Sequence, residues 1–202
     1  MDGSSSMMAG EHNKELVNNA LEQINQAEYG AHYLLIYPDL RVLRKLYTKY
    51  VKTQLEHENK IVLLLPHYET ADNIRNILLD DSFSAAEDMK RYKDSLIVMD
   101  SLKAHFGVGN HMEFVNELVK RAQNGVSVIA DAGPFFHLHK RDRLIEHELS
   151  MPPRFDINIK RFCVFHKQDF NILTEEQKQK LLNHHGQVLM VEDTLSRLQN
   201  LL

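Results

Sequence analysis

The residues of this chain with the most chemical potential sit at the ends of apolar runs. Asp94-Ser-Leu-Ile-Val-Met-Asp-Ser-Leu102 reads as a buried strand that ends on an acid, Asp100, and Val126-Ser-Val-Ile-Ala-Asp131 as another that ends on Asp131. Carboxylates in such positions can bind a hard cation such as Mg2+, and with phosphate held nearby they support nucleotide hydrolysis. That chemistry also needs a glycine-rich turn whose backbone amides cradle phosphate, followed by Lys and Ser or Thr on the next helix. No G-x-x-x-x-G-K-[ST] occurs in the chain. Asp39 stands at the start of the first long helix, where a carboxylate repels phosphate and satisfies the free amides itself. The combination points from catalysis toward binding, so neither a catalytic residue nor a cofactor is expected.

In parallel α/β sheets ligands bind beyond the carboxyl ends of the strands. Here those ends present Tyr37 and Asp39, then His67, Tyr68 and Glu69, then Asp100 and Ser101, then Asp131, and last His166, Lys167 and Asp169. Asp39 and Glu69 have a simpler reading as helix caps. The expected ligand-binding set is His67, Tyr68, Asp100, Asp131 and His166 as polar contacts, with Tyr37, Phe135 and Phe136 as aromatic walls. Gly107-Val-Gly-Asn110 is a weaker anion cradle without the third glycine of a dinucleotide fingerprint, and a flexible turn is the better reading of it.

The twelve histidines raise the question of a metal. His137-Leu-His139 puts two imidazoles on one side of an extended segment, and His184-His185 lies at a helix end, yet neither has a third ligand at a diagnostic spacing. No metal site is expected from them, and His185 suits the negative end of a helix dipole. Glu146-His147 faces a pocket only if its helix covers the strand tips; a surface position is the simpler reading. Cys163, the single cysteine, lies in Arg161-Phe-Cys-Val-Phe-His166, reads as a buried strand residue and is expected to be inert.

Alternating elements must position these groups. Leu16, Ala20, Leu21, Ile24 and Ala27 recur at helical spacing, so 11–29 is expected to be an amphipathic helix closed by Gly30. Strands are expected at 31–37, 60–66, 94–102, 126–131, around Cys163 and at 187–191, the run at 60–66 being apolar throughout as in a strand covered on both faces. Between them fall helices at 39–57, from Thr70 through Leu78, from a capping box at Ser84, from Asn110 toward Gly125, at 140–150, and from the capping box Thr174-Glu-Glu-Gln177 toward Gly186. This alternation predicts a doubly wound, largely parallel sheet of about six strands in a three-layer α/β sandwich. Residues 1–10 are expected to be a disordered tail, 30–192 the main domain and 193–202 a helical tail.

Bulk properties exclude other classes. With 202 residues, 43% hydrophobic and 26% charged, the chain can bury one core. A net charge of −4 argues against a direct nucleic-acid partner, and no apolar run approaches the roughly 20 residues of a membrane span. Without a signal-peptide pattern, a cytoplasmic location is expected.

The succession His32-Tyr-Leu-Leu-Ile-Tyr37, the long helix, Lys60-Ile-Val-Leu-Leu-Leu-Pro66, the acid-ended strand at 94–102, Gly125-Val-Ser-Val-Ile-Ala-Asp131 and Phe162-Cys-Val-Phe-His166 resembles the methanogen/methylotroph sensory domain, MEDS. The resemblance spans about residues 30–192. It implies a RecA-like or KaiC-like core lacking the Walker A loop, and a sensory or regulatory role in signal transduction with a small-molecule ligand, hydrocarbon-derived molecules among the candidates. It also implies a histidine kinase or transcription regulator as downstream partner. Asp131 followed by Ala-Gly-Pro departs from the more apolar loop expected there.

Two other classes stay open at this point. One is a nucleotide- or metal-dependent hydrolase using Asp100 and Asp131 as Mg2+ ligands with His166 or Lys167 near phosphate. The other is a structural module that forms a homodimer or docks a kinase through its N-terminal helix and the tail from Leu195 to Leu202.

Overall fold

The computed structural model describes residues 15–56, 60–82, 92–107 and 111–191. Six strands form one sheet: β1 (His32–Tyr37), β2 (Ile61–Leu65), β3 (Leu96–Val98), β4 (Val126–Asp131), β5 (Ile159–His166) and β6 (Gln187–Met190). They lie in the order β3-β2-β4-β5-β1-β6, and every neighbouring pair is parallel. The four central strands are apolar nearly without alternation because helices cover both of their faces. This is the three-layer, doubly wound arrangement expected from the alternation of elements.

Two cores separate the layers. Tyr33, Leu35 and Tyr37 of β1, Val62 and Leu64 of β2, and Phe162 and Val164 of β5 point to one face. There they meet the helix Leu40–Glu56 through Val42, Leu46, Tyr50 and Val51, and the helix Ala71–Ser82 through Ile74 and Leu78. The alternate residues, among them Leu34, Leu63, Val128, Cys163 and Phe165, face the second core. It is closed by Ala104 from Ser101–Phe106, Val115 and Leu118 from His111–Arg121, Phe135 and Phe136 from Gly133–His137, Leu144 and Ile145 from Arg141–Ser150, Phe170 from Lys167–Asn171, and Leu181 from Glu175–His184. Each large side chain so buried contributes on the order of 1.5–3 kcal/mol against exposure. Residues 15–25 are helical and add Val17, Ala20 and Ile24 to the first core; the helix expected at 11–29 stops at residue 25, short of Gly30, and 11–14 lie outside the described residues.

Several boundaries move, each for a local reason. The strand expected at 94–102 is only Leu96–Val98, because Asp100 starts a new helix: its Oδ1 accepts the amide of Lys103 at 2.9 Å. Two short helices absent from the sequence reading, Gly133–His137 and Lys167–Asn171, start at strand ends, the first carrying Pro134 in its opening turn and the second capped by His166. The helix before β4 ends at Arg121 rather than at Gly125, and the last ends at His184. The capping box Thr174–Gln177 is present in both directions. The expectations at Ser84, at 1–10 and at 193–202 lie outside the described residues.

Candidate functional site: a crevice at the strand tips

The helices that follow β1 and β2 pack on the first face of the sheet, and those that follow β4 and β5 on the second. Neighbouring strands β2 and β4 therefore send their chains to opposite sides, as do β1 and β5. A crevice opens where such chains part. The crevice holds a small pocket, about 380 Å³ of empty space with the open solvent at its mouth included, bounded by Leu43, Leu64, Ile74, Ile129, Val164 and Asp131 and rimmed by His67, Tyr68 and Glu69.

Asp131 is the polar floor of this pocket. It is buried as the last residue of β4, its Oδ1 accepting the amide of Gly133 at 2.7 Å and its Oδ2 the hydroxyl of Tyr37 at 3.4 Å. Burial pushes its carboxyl up to about 7, against the opposing pull of those two donors. The same burial, with the acids nearby, raises the phenol of Tyr37 far above its ordinary range. Gly133 lets the turn close. A Cβ there would lie 2.3 Å from the His67 ring and 3.0 Å from Asp131 Oδ1, so only glycine allows the imidazole to rest on the backbone after β4.

An imidazole and phenol group completes the rim. His67 lies 4.9 Å from the ring of Tyr68 and 5.6 Å from that of His137. Desolvation, with His137 adding to it, lowers the pKa of His67 and favours its neutral form. The Tyr68 hydroxyl donates to Asp169, and His166 stacks edge-on at 5.3 Å from Tyr37. Glu69 is not a helix cap; it takes Arg44 at 2.6 Å and the hydroxyl of Tyr47 at 3.1 Å, while Thr70 caps the helix. Asp39 is a cap, accepting the amides of Arg41 at 2.8 Å and Val42 at 3.1 Å.

The expected ligand-binding set thus divides. Tyr37, His67, Tyr68, Asp131 and His166 come together at the strand tips, joined by Asp169. Asp100 lies just past the edge strand; its carboxylate is spent on a helix cap and bears on His67 only through charge. Phe135 and Phe136 are core residues rather than pocket walls: Phe135 packs on His105 and Phe106, and Phe136 on Phe165. Their side chains face the second core because the short helix after Asp131 turns them inward. Gly107 is the end cap of its helix, and 108–110 lie outside the described residues.

Away from the tips, burial raises the Cys163 thiol. Its neighbours Glu148, His32 and His185 are all buried; sequence reasoning gave the first two no site role and read His185 only as a helix-end residue. The signal was present for Glu148, which falls three and four residues after Ile145 and Leu144 on the apolar stripe of its helix.

The fold and crevice define an all-parallel, doubly wound α/β protein with a small, mixed apolar and acidic pocket at its switch point. No family model and no curated protein matches the chain. Among the described residues no helix is long and apolar enough to cross a membrane.

Proposed function

We propose that this chain is a non-catalytic, ligand-binding regulatory domain, whose strand-tip pocket takes a small, uncharged and largely apolar molecule carrying one hydrogen-bonding group. The observation that carries this is the composition of the pocket: aliphatic walls around the buried carboxyl of Asp131, with the second carboxyl, Glu69, already committed to Arg44 and Tyr47, a pattern of few polar groups in an apolar cleft. Asp131, protonated below about pH 7, offers a donor that an alcohol, ketone or amide would accept. The resemblance to sensory domains agrees with a regulatory role, with a kinase or transcription regulator as the downstream partner.

Nucleotide hydrolysis fits less well. At the head of the helix after β1, Asp39 takes the amides that would hold phosphate, and both oxygens of Asp131 already have donors. Thermal-shift measurements separate the readings. Small neutral alcohols, ketones and amides are expected to raise Tm, and Mg2+-ATP is expected to leave it unchanged with no phosphate release. ATP turnover that Asp131→Asn abolishes would overturn the proposal.

A further inference from the structure

Beneath the second layer, remote in chemistry from the pocket, four side chains from four elements converge: His32 from β1, Cys163 from β5, Glu148 from the helix Arg141–Ser150, and His185 just past the helix Glu175–His184. All four are buried, and one potential ligand atom from each lies within 4.8 Å of the others. His32 Nε2 is 3.2 Å from Cys163 Sγ and 3.6 Å from Glu148 Oε2, and His185 Nε2 is 3.3 Å from the same Oε2. The edges of a tetrahedral zinc site with N, O and S ligands are roughly 3.3–3.8 Å, as follows from its bond lengths.

The hydrogen bonding is what asks for a cation. His32 Nδ1 faces the carbonyl of Pro152 at 3.2 Å, and His185 Nδ1 the carbonyl of Leu181 at 2.8 Å. A carbonyl can only accept, so both Nδ1 atoms carry the proton, and in a neutral ring Nε2 is then a bare lone pair. The lone pair of His185 faces Glu148 Oε2, itself an acceptor, while that of His32 faces the Cys163 thiol, which can donate to it, at 3.2 Å and the same carboxylate oxygen at 3.6 Å. Glu148 Oε2 and His185 Nε2 have no hydrogen-bond partner although both are fully enclosed. Something positive is needed between them.

We infer that His32, Glu148, Cys163 and His185 form a closed, four-coordinate site for a divalent transition metal, with Zn2+ the ion that this mix of imidazole, thiolate and carboxylate suits best. Binding forms one bond to each side chain and releases the Cys163 thiol proton to solvent. Glu148 and the thiolate cancel the charge of the ion. Four protein ligands leave no open position, so the ion is structural: it ties β1 and β5 to the two helices above them. The competing arrangement has no metal. In it one imidazole is protonated, and Arg161, buried beside the cluster, supplies a further positive charge against Glu148.

The test uses the full chain without an affinity tag, purified from zinc-supplemented medium. Elemental analysis is expected to find one zinc per chain, and removal by a strong chelator to lower Tm by at least about 5 °C, restored by added Zn2+. Replacement with Co2+ is expected to give tetrahedral d–d bands and a thiolate-to-cobalt charge-transfer band, the latter lost in Cys163→Ala. A folded chain that neither retains zinc nor takes up Zn2+ or Co2+ at micromolar concentration overturns the inference in favour of the protonated pair. So does metal whose amount and spectrum are unchanged by Cys163→Ala and His185→Gln. Should those variants fail to fold, the cobalt spectrum of the wild-type chain decides, and lack of the thiolate band counts against the site.

Discussion

At the residue scale the protein turns on where acids are buried. Asp131 keeps its proton to about pH 7 in the folded chain, whereas an unfolded aspartate releases it near 4. Its favourable contribution is therefore complete below the unfolded value and is lost as pH rises through the folded one. Compared at pH 5 and pH 8 by denaturation, the wild type should lose about 3 kcal/mol more stability over that interval than Asp131→Asn, the opposite contribution of histidines such as His67 being common to both. Gly133→Ala should destabilise by about 1–3 kcal/mol, measured by urea unfolding, since its methyl group would enter the His67 ring. Asp131, His67 and Tyr37 were legible as strand-end residues. Asp100 was misplaced because a strand-ending acid and a helix-capping acid have the same sequence signature until the chain's turn after Val98 is known.

Elements carry the next level of evidence. Apolar runs bounded by glycine, proline or a capping residue mark all six strands, and the capping box at Thr174 marks the start of its helix to the residue. Thr174→Ala is expected to cost about 1 kcal/mol in chemical denaturation, with Gln177→Ala costing less because Thr174 Oγ1 still meets the amide at position 177. Asp39→Ala should cost a similar amount, as it leaves the amides of Arg41 and Val42 without their acceptor. The five-residue helices after β4 and β5 were not legible, because a single turn has too few residues to establish a period. They matter: one turns Phe135 and Phe136 into the core, and the other brings Asp169 to Tyr68. The strand-end positions of Asp131 and His166 hid the fact that the chain goes straight into a helical turn.

At the scale of the whole molecule, alternation of strands and helices foretold the three-layer sheet, but the strand order and the side to which each helix packs are long-range outcomes. Those two facts place the crevice, and no local pattern contains them. They also explain why four residues as far apart as His32, Glu148, Cys163 and His185 meet in the second layer: neighbouring strands β1 and β5 present His32 and Cys163 to the same face, under two adjacent helices. The crevice is the centre of the functional reading, and its occupancy can be measured directly. Ligand-observed NMR of the full chain against a panel of neutral fragments should detect binders whose signals vanish in Leu43→Trp, a change that fills the pocket, provided that variant keeps its Tm and fold. Binding that persists undiminished in folded Leu43→Trp, or a panel with no binder at millimolar concentration, would contradict a ligand pocket at the strand tips.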